Sequence, residues 1–211
     1  KSMSEINKSL ITNWNNKRVV KADVIGLFKE AGNFFSFTLN EAIADDLHIY
    51  FAINGSERSF YIIKASDDTK ENVNYLAHAV MGNAKKTLPP FNQGLGENAN
   101  TIPWGEANDC INNWISDSKR ETWIDNRFAN EGTNDAIFLA FIVDAIDISV
   151  GEEHEFYLSL KEENNALNAD LIVVNVENGI VSKNIEDMVH SVPPFGDIYS
   201  KFGLLESLNI K

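Results

Sequence analysis

The sequence predicts an α+β protein made of two similar halves, on three observations. Apolar residues recur at helical spacing at the head of each half, two pairs of β-rich runs are each split by a turn, and the pattern repeats after one hundred residues. Ile11 aligns with Ile111, Asn13 with Asn113, Trp14 with Trp114, Val24 with Ile124, Phe28 with Phe128 and Gly32 with Gly132, without a gap. The chain has only four tryptophans, so coincidence is a poor account of a matched pair inside such a run. Later loop insertions shift the register: Tyr50 meets Tyr157, and Leu88-Pro89-Pro90-Phe91 returns as Val192-Pro193-Pro194-Phe195. A unit of this length is domain-sized rather than a solenoid repeat. Two tandem lobes about a pseudo-twofold are expected, folding separately or sharing a sheet. Residues 1–91 form the first repeat, 92–102 a linker, 103–195 the second repeat, and 196–211 a tail without counterpart.

Taken in order, Met3, Ile6, Leu10, Ile11 and Trp14 mark a helix over residues 4–15, and Val24, Leu27 and Phe28 mark a second over 22–31, stopped by Gly32. Residues 34–38 alternate and read as extended, and 39–46 as a short helix capped by Thr38 or Asn40. Residues 47–53 and 59–65 form a hairpin around Asn54-Gly55, with a loop longer than two residues. Asp67-Asp68-Thr69 then caps a helix to about Ala84, with Val73, Leu76 and Val80 inward, before Pro89-Pro90 ends it. Gly94, Gly96 and the Asn-rich composition of 92–100 give the linker. In the second half Pro103 opens a helix carrying Trp104, Ala107, Ile111, Trp114 and Ile115, and another carries Trp123, Ile124 and Phe128. The apolar run 136–148 reads as a strand passing into a helix. Residues 155–160 and 170–176 repeat the hairpin around a longer loop at 162–168, and 183–190 read as the matching last helix.

Composition narrows the partners. A formal charge of -13 repels a phosphate backbone and an anionic membrane surface, so neither nucleic acid nor membrane is expected, and basic partners remain open. The single cysteine, Cys110, forms no internal disulfide, and no run approaches the length needed to span a bilayer. Residues 1–3 lead into no basic and then apolar leader, so a cytoplasmic location is expected; a signal peptide already removed would leave no trace.

An early helix ending near a tryptophan, an aromatic run, a hairpin of the Ile49-Tyr50-Phe51 kind and a closing Pro-Pro-aromatic together resemble a group of uncharacterised bacterial α+β proteins of Bacteroidetes type. The resemblance implies the fold and no assigned activity. Some of those proteins carry cysteines beside the Pro-Pro pair. Here Leu88 and Asn92, or Val192 and Gly196, stand there, so a thiol or metal role at that place is not implied.

Candidate chemistry is sparse. His48, His78, His154 and His190 occupy no equivalent places in the two halves, and a satisfied or surface histidine is the expectation at each. Glu152, Glu153, His154 and Glu155 are adjacent on an extended stretch and point to opposite faces, and Asp67-Asp68 lacks the spacing of a calcium loop, so no metal and no cofactor is expected. No serine elbow or phosphate loop occurs, and Cys110 lies on an apolar helix stripe. Phe91, Trp104 and Phe195, beside the linker and the Pro-Pro turns, are the candidate ligand-binding residues, weighed against simple core packing. A non-enzymatic module that binds a protein or small ligand is the leading expectation. The first alternative is a small hydrolase using His154 with Glu152 or Glu155, or His78 with Glu71. The second is a structural or assembly protein.

Overall fold

Ser4 opens the first helix by accepting the Asn7 amide at 3.3 Å, and α1 (Glu5–Lys17) turns Ile11 and Trp14 inward. α2 (Lys21–Glu30) buries Val24 and Phe28. Gly32 follows where a Cβ would stand 2.4 Å from the Gly82 carbonyl oxygen, so close approach of two backbones, rather than a helix stop, requires glycine. α3 (Trp104–Ile115), with Pro103 at its N-cap, and α4 (Asp117–Ala129) bury Ile111, Trp114, Trp123 and Ile124. The computed structural model describes residues 1–91, 101–129, 137–144, 148–183, 185–186, 189–192 and 202–210. Residues 92–100 of the predicted linker 92–102, Gly132 and Pro193-Pro194-Phe195 lie outside the described residues, and the last two linker residues, Thr101 and Ile102, form a strand rather than linker.

The strands are β1 (Phe34–Thr38), β2 (Leu47–Asn54), β3 (Glu57–Asp68), β4 (Val73–Met81), β5 (Thr101–Ile102), β6 (Ala140–Val143), β7 (Glu153–Glu163), β8 (Ala166–Glu177), β9 (Ile180–Val181), β10 (Ile185–Glu186) and β11 (Val189–Val192). They form two antiparallel sheets, ordered β11-β6-β2-β3-β4 and β1-β7-β8-β10-β5, with β9 paired to β8. With the helices, this is an α+β architecture. Each sheet takes strands from both sides of 92–100. β1 pairs with β7, setting Phe35 opposite Phe156, and β6 pairs with β2, setting Phe141 opposite Ile49. The sheets meet where Phe35 stacks 4.1 Å from Phe60 of the other sheet, and Trp14, Phe28, Phe51, Trp114 and Phe138 extend this aromatic core.

Several hydrogen bonds recur in the two halves. The Asn13 side chain donates to the Ile53 carbonyl at 3.3 Å, and that of Asn113 to the Leu160 carbonyl at 3.2 Å. The Phe51 amide donates to Leu139, and the Leu158 amide to Asn33.

Three predicted helices and both predicted hairpin loops are corrected. Residues 73–81 are strand β4, not helix: Tyr75 and Ala77 face partners on β3, whereas Val80, from the supposed helical stripe, is 54% exposed. The run contained both periods, and pairing with β3 decided between them. Residues 183–190 likewise hold β10 and the start of β11, whose partners β5, β8 and β6 supply the ladder. No helix forms at 39–46, because the Leu39 and Asp46 carbonyls accept from Gly151 and Ala65 instead. Both hairpin loops are two-residue turns. Asn54 pairs with Glu57 around Gly55, whose φ is +60°, and Glu163 pairs with Ala166 around Asn164 and Asn165, both at positive φ. The apolar run forms β6 at Ala140–Val143, and 145–147 lie outside the described residues.

The C-terminal segment packs rather than trails. α5 (Gly203–Ser207) buries Leu204 and Leu205, and Phe202 before it is buried against the first sheet.

Candidate functional site

Alternation along β2 puts His48 and Tyr50 on one face and Ile49 and Phe51 on the other. Asp68, at the end of β3, turns its carboxylate to that first face. His48 Nδ1 lies 2.6 Å from Asp68 Oδ2, the Tyr50 hydroxyl donates to the same oxygen, and the Leu204 amide donates to Oδ1 at 2.8 Å. All the groups meeting at Asp68 are buried. In this arrangement His48 Nδ1, the Tyr50 hydroxyl and the Leu204 amide all donate to the one carboxylate. Burial first, and the Asp68 charge second, push the Tyr50 hydroxyl well above its ordinary range, so it stays a donor.

Phe202 covers the pair, its ring stacked 4.2 Å from His48 and set edge-on to Tyr50. Gly203 lets this cover close, because a Cβ there would meet the Asp68 carbonyl oxygen at 2.5 Å. Beside the pair opens a cavity of about 710 Å³, lined by His48, Asp68, Phe202, Asp46, Lys70 and Glu71, with Glu206 at its edge. Its volume is within the usual range for small-ligand sites. His48 is 2% exposed and lines the cavity, and its Nε2 has no hydrogen-bond partner among the described residues. With the proton on Nδ1, Nε2 presents a lone pair.

The other sequence candidates are placed differently. His154 is fully buried and both ring nitrogens are used: Nδ1 donates to the Glu152 carbonyl at 3.1 Å, while Nε2 accepts from the Ser149 amide at 3.1 Å and Asn175 Nδ2 at 3.0 Å. Burial lowers its pKa, so the ring is neutral and structural. Glu152 instead pairs with Lys183 at 2.7 Å, which is the main cause of its lowered pKa. His78 is exposed and stacks on Tyr61 at 4.4 Å, and no ion pair joins it to Glu71. His190 is exposed and Cys110 is buried on α3. Phe91 and Trp104 are half-buried against a second, smaller apolar cluster, with Trp104 Nε1 donating to the Pro89 carbonyl at 2.8 Å. Phe195 lies outside the described residues.

Sequence reading missed the His48–Asp68 pair. The i, i+2 spacing of His48 and Tyr50 was the available signal, but Asp68 reaches them through an irregular stretch of the β3–β4 pairing, and its neighbours read as a helix cap. No family model, curated protein or solved structure matches the chain. Among the described residues, no helix is long and apolar enough to cross a membrane.

Proposed function

We propose that this chain is a non-enzymatic module that takes a small polar ligand into the His48 cavity. The observation that carries the reading is a nearly buried imidazole, held by Asp68, with its second nitrogen lining a cavity of ligand size.

A His–carboxylate pair at 2.6 Å also favours the second reading, a hydrolase with His48 as general base. The walls weigh against it. Among the described residues the cavity collects Asp46, Asp68, Glu71 and Glu206 against one cation, Lys70, a field that opposes a developing oxyanion. The one hydroxyl residue on the wall, Thr69, already donates to the Asn72 carbonyl at 2.8 Å.

The duplication is part of the same proposal: the halves are copies of one unit that have exchanged their first strands. Support comes from the reciprocal β1–β7 and β6–β2 pairings and from the matched Asn13 and Asn113 bonds. Only the first copy keeps a histidine beside its tyrosine.

A thermal-shift panel of small polar molecules tests the binding reading, run on the native chain and on Ala65→Phe, which fills the cavity wall. Compounds that raise the Tm of the native chain and leave the variant unmoved are expected. Compounds acting equally on both, or none acting on the native chain, would remove the reading.

A further inference from the structure

Resting on that cavity, we infer that its ligand is a small organic ammonium ion, a primary amine of two or more nitrogens, rather than a neutral or anionic molecule. Lys70 is taken by Glu206 at 2.8 Å, and Asp68 is taken by His48, Tyr50 and the Leu204 amide. Asp46 and Glu71 remain, and neither makes an ion pair or side-chain hydrogen bond among the described residues. Glu71 acts on Lys70 through space, and among the described residues the wall stays net acidic, with Asp46, Asp68, Glu71 and Glu206 against Lys70, which raises the local concentration of cations.

His48 then selects the kind of cation. In the tautomer that gives its Nδ1 proton to Asp68, Nε2 accepts, so the ligand brings an N–H or O–H. A quaternary ammonium has none. A bare metal ion would need converging ligands, and among the described residues no three His, Cys, Asp or Glu side chains stand close enough to hold one. A cavity of about 710 Å³ is also far larger than a dehydrated ion, so the charges are better met by a molecule that spans it. One ammonium donates to His48 Nε2 and another meets Asp46 or Glu71. The anionic wall favours a cation and the lone pair requires a hydrogen-bond donor, and an ammonium ion meets both.

The test uses three probes of matched length on the full chain: 1,4-diaminobutane, 1,4-butanediol and succinate. Long-range 1H–15N spectra of the 15N-histidine protein report each imidazole, with the His48 signals assigned by His48→Gln. Diaminobutane is expected to shift the His48 Nε2 signal saturably, and the diol and succinate to leave it in place. Affinity for the diamine should fall at least about tenfold in Asp46→Asn/Glu71→Gln and stay unchanged in Asp125→Asn, a carboxylate paired to Lys21 away from the cavity. The substituted residues are exposed, so the fold is retained and can be checked by backbone amide spectra. If the diol or succinate moves His48 and the diamine does not, the ammonium class is wrong and the cavity reading survives. If no probe moves His48, both fall. An unchanged affinity in the double variant overturns the role of the walls.

Discussion

Tyr50 on β2 and Tyr157 on β7 are both fully buried, and each donates its hydroxyl to a carboxylate. Around Tyr157 the network closes on itself. Glu155 accepts from Tyr157 and pairs with Lys86 at 2.5 Å, and the Lys86 ammonium sits 4.7 Å over the Phe34 ring. Around Tyr50 the network stays open, because the residue two positions earlier is His48 rather than a glutamate, and a ring with two nitrogens keeps one in reserve after binding Asp68. A buried tyrosine thus belongs to a filled polar plug in one sheet and to a network with one imidazole nitrogen unused in the other. What separates them is the count of unused hydrogen-bonding valences, not burial.

The sharpest way to break the comparison is Asp68→Ala. It strands His48, Tyr50 and the Leu204 amide together, and loss of about 3–5 kcal/mol of stability is expected in urea unfolding. Gly203→Ala should cost about 3 kcal/mol by the same measurement, since its Cβ meets backbone rather than a yielding side chain, and Phe202 should leave His48. A His48 ring-current shift would report that release. At the closed site, Lys86→Met leaves Glu155 buried with Tyr157 alone; about 2 kcal/mol is expected, reduced from a fully buried pair because Lys86 is half-exposed. Asn13→Ala and Asn113→Ala should each cost about 1 kcal/mol, and a large inequality between them would count against equivalent halves.

The smallest effect concerns pH. Burial holds the folded His154 below its ordinary value, so the unfolded chain binds that proton first as pH falls. Stability is complete above about pH 6.5, declines below it, and levels once the pH is under the folded value. His78, lowered by burial as well, acts in the same direction. Urea midpoints at pH 7.5 and 5.5 should differ less in His154→Gln than in the native chain.

The paired helices that open each half and both hairpins were legible in the sequence because their signals are local: the Ile11–Trp14 stripe, the Ile111–Trp114 stripe, the β-rich runs. Residues 73–81 were not, since Val73, Leu76 and Val80 fit a helix while Val73, Tyr75, Ala77 and Ala79 fit a strand, and only the β3 partner chooses. The site failed for a related reason. His48 and Asp68 are joined by hairpin register, with a slip between Ile63 and Asp68 that no pattern announces. The expectation of matching histidines in both halves also hid the pair, because Glu155 stands where a second histidine was sought.

The reciprocal seating of β1 on β7 and β6 on β2 also governs when the protein can take shape. During synthesis, a nascent chain that has emerged only through β4 carries β2 with one flank bare, and the partner for that flank is encoded past α4. Such long-range pairing slows folding and leaves a sticky edge in the interim. Cutting the gene at 92–100 would thus yield two fragments that seek each other, and mixing them should restore the helix and sheet signals that neither shows alone.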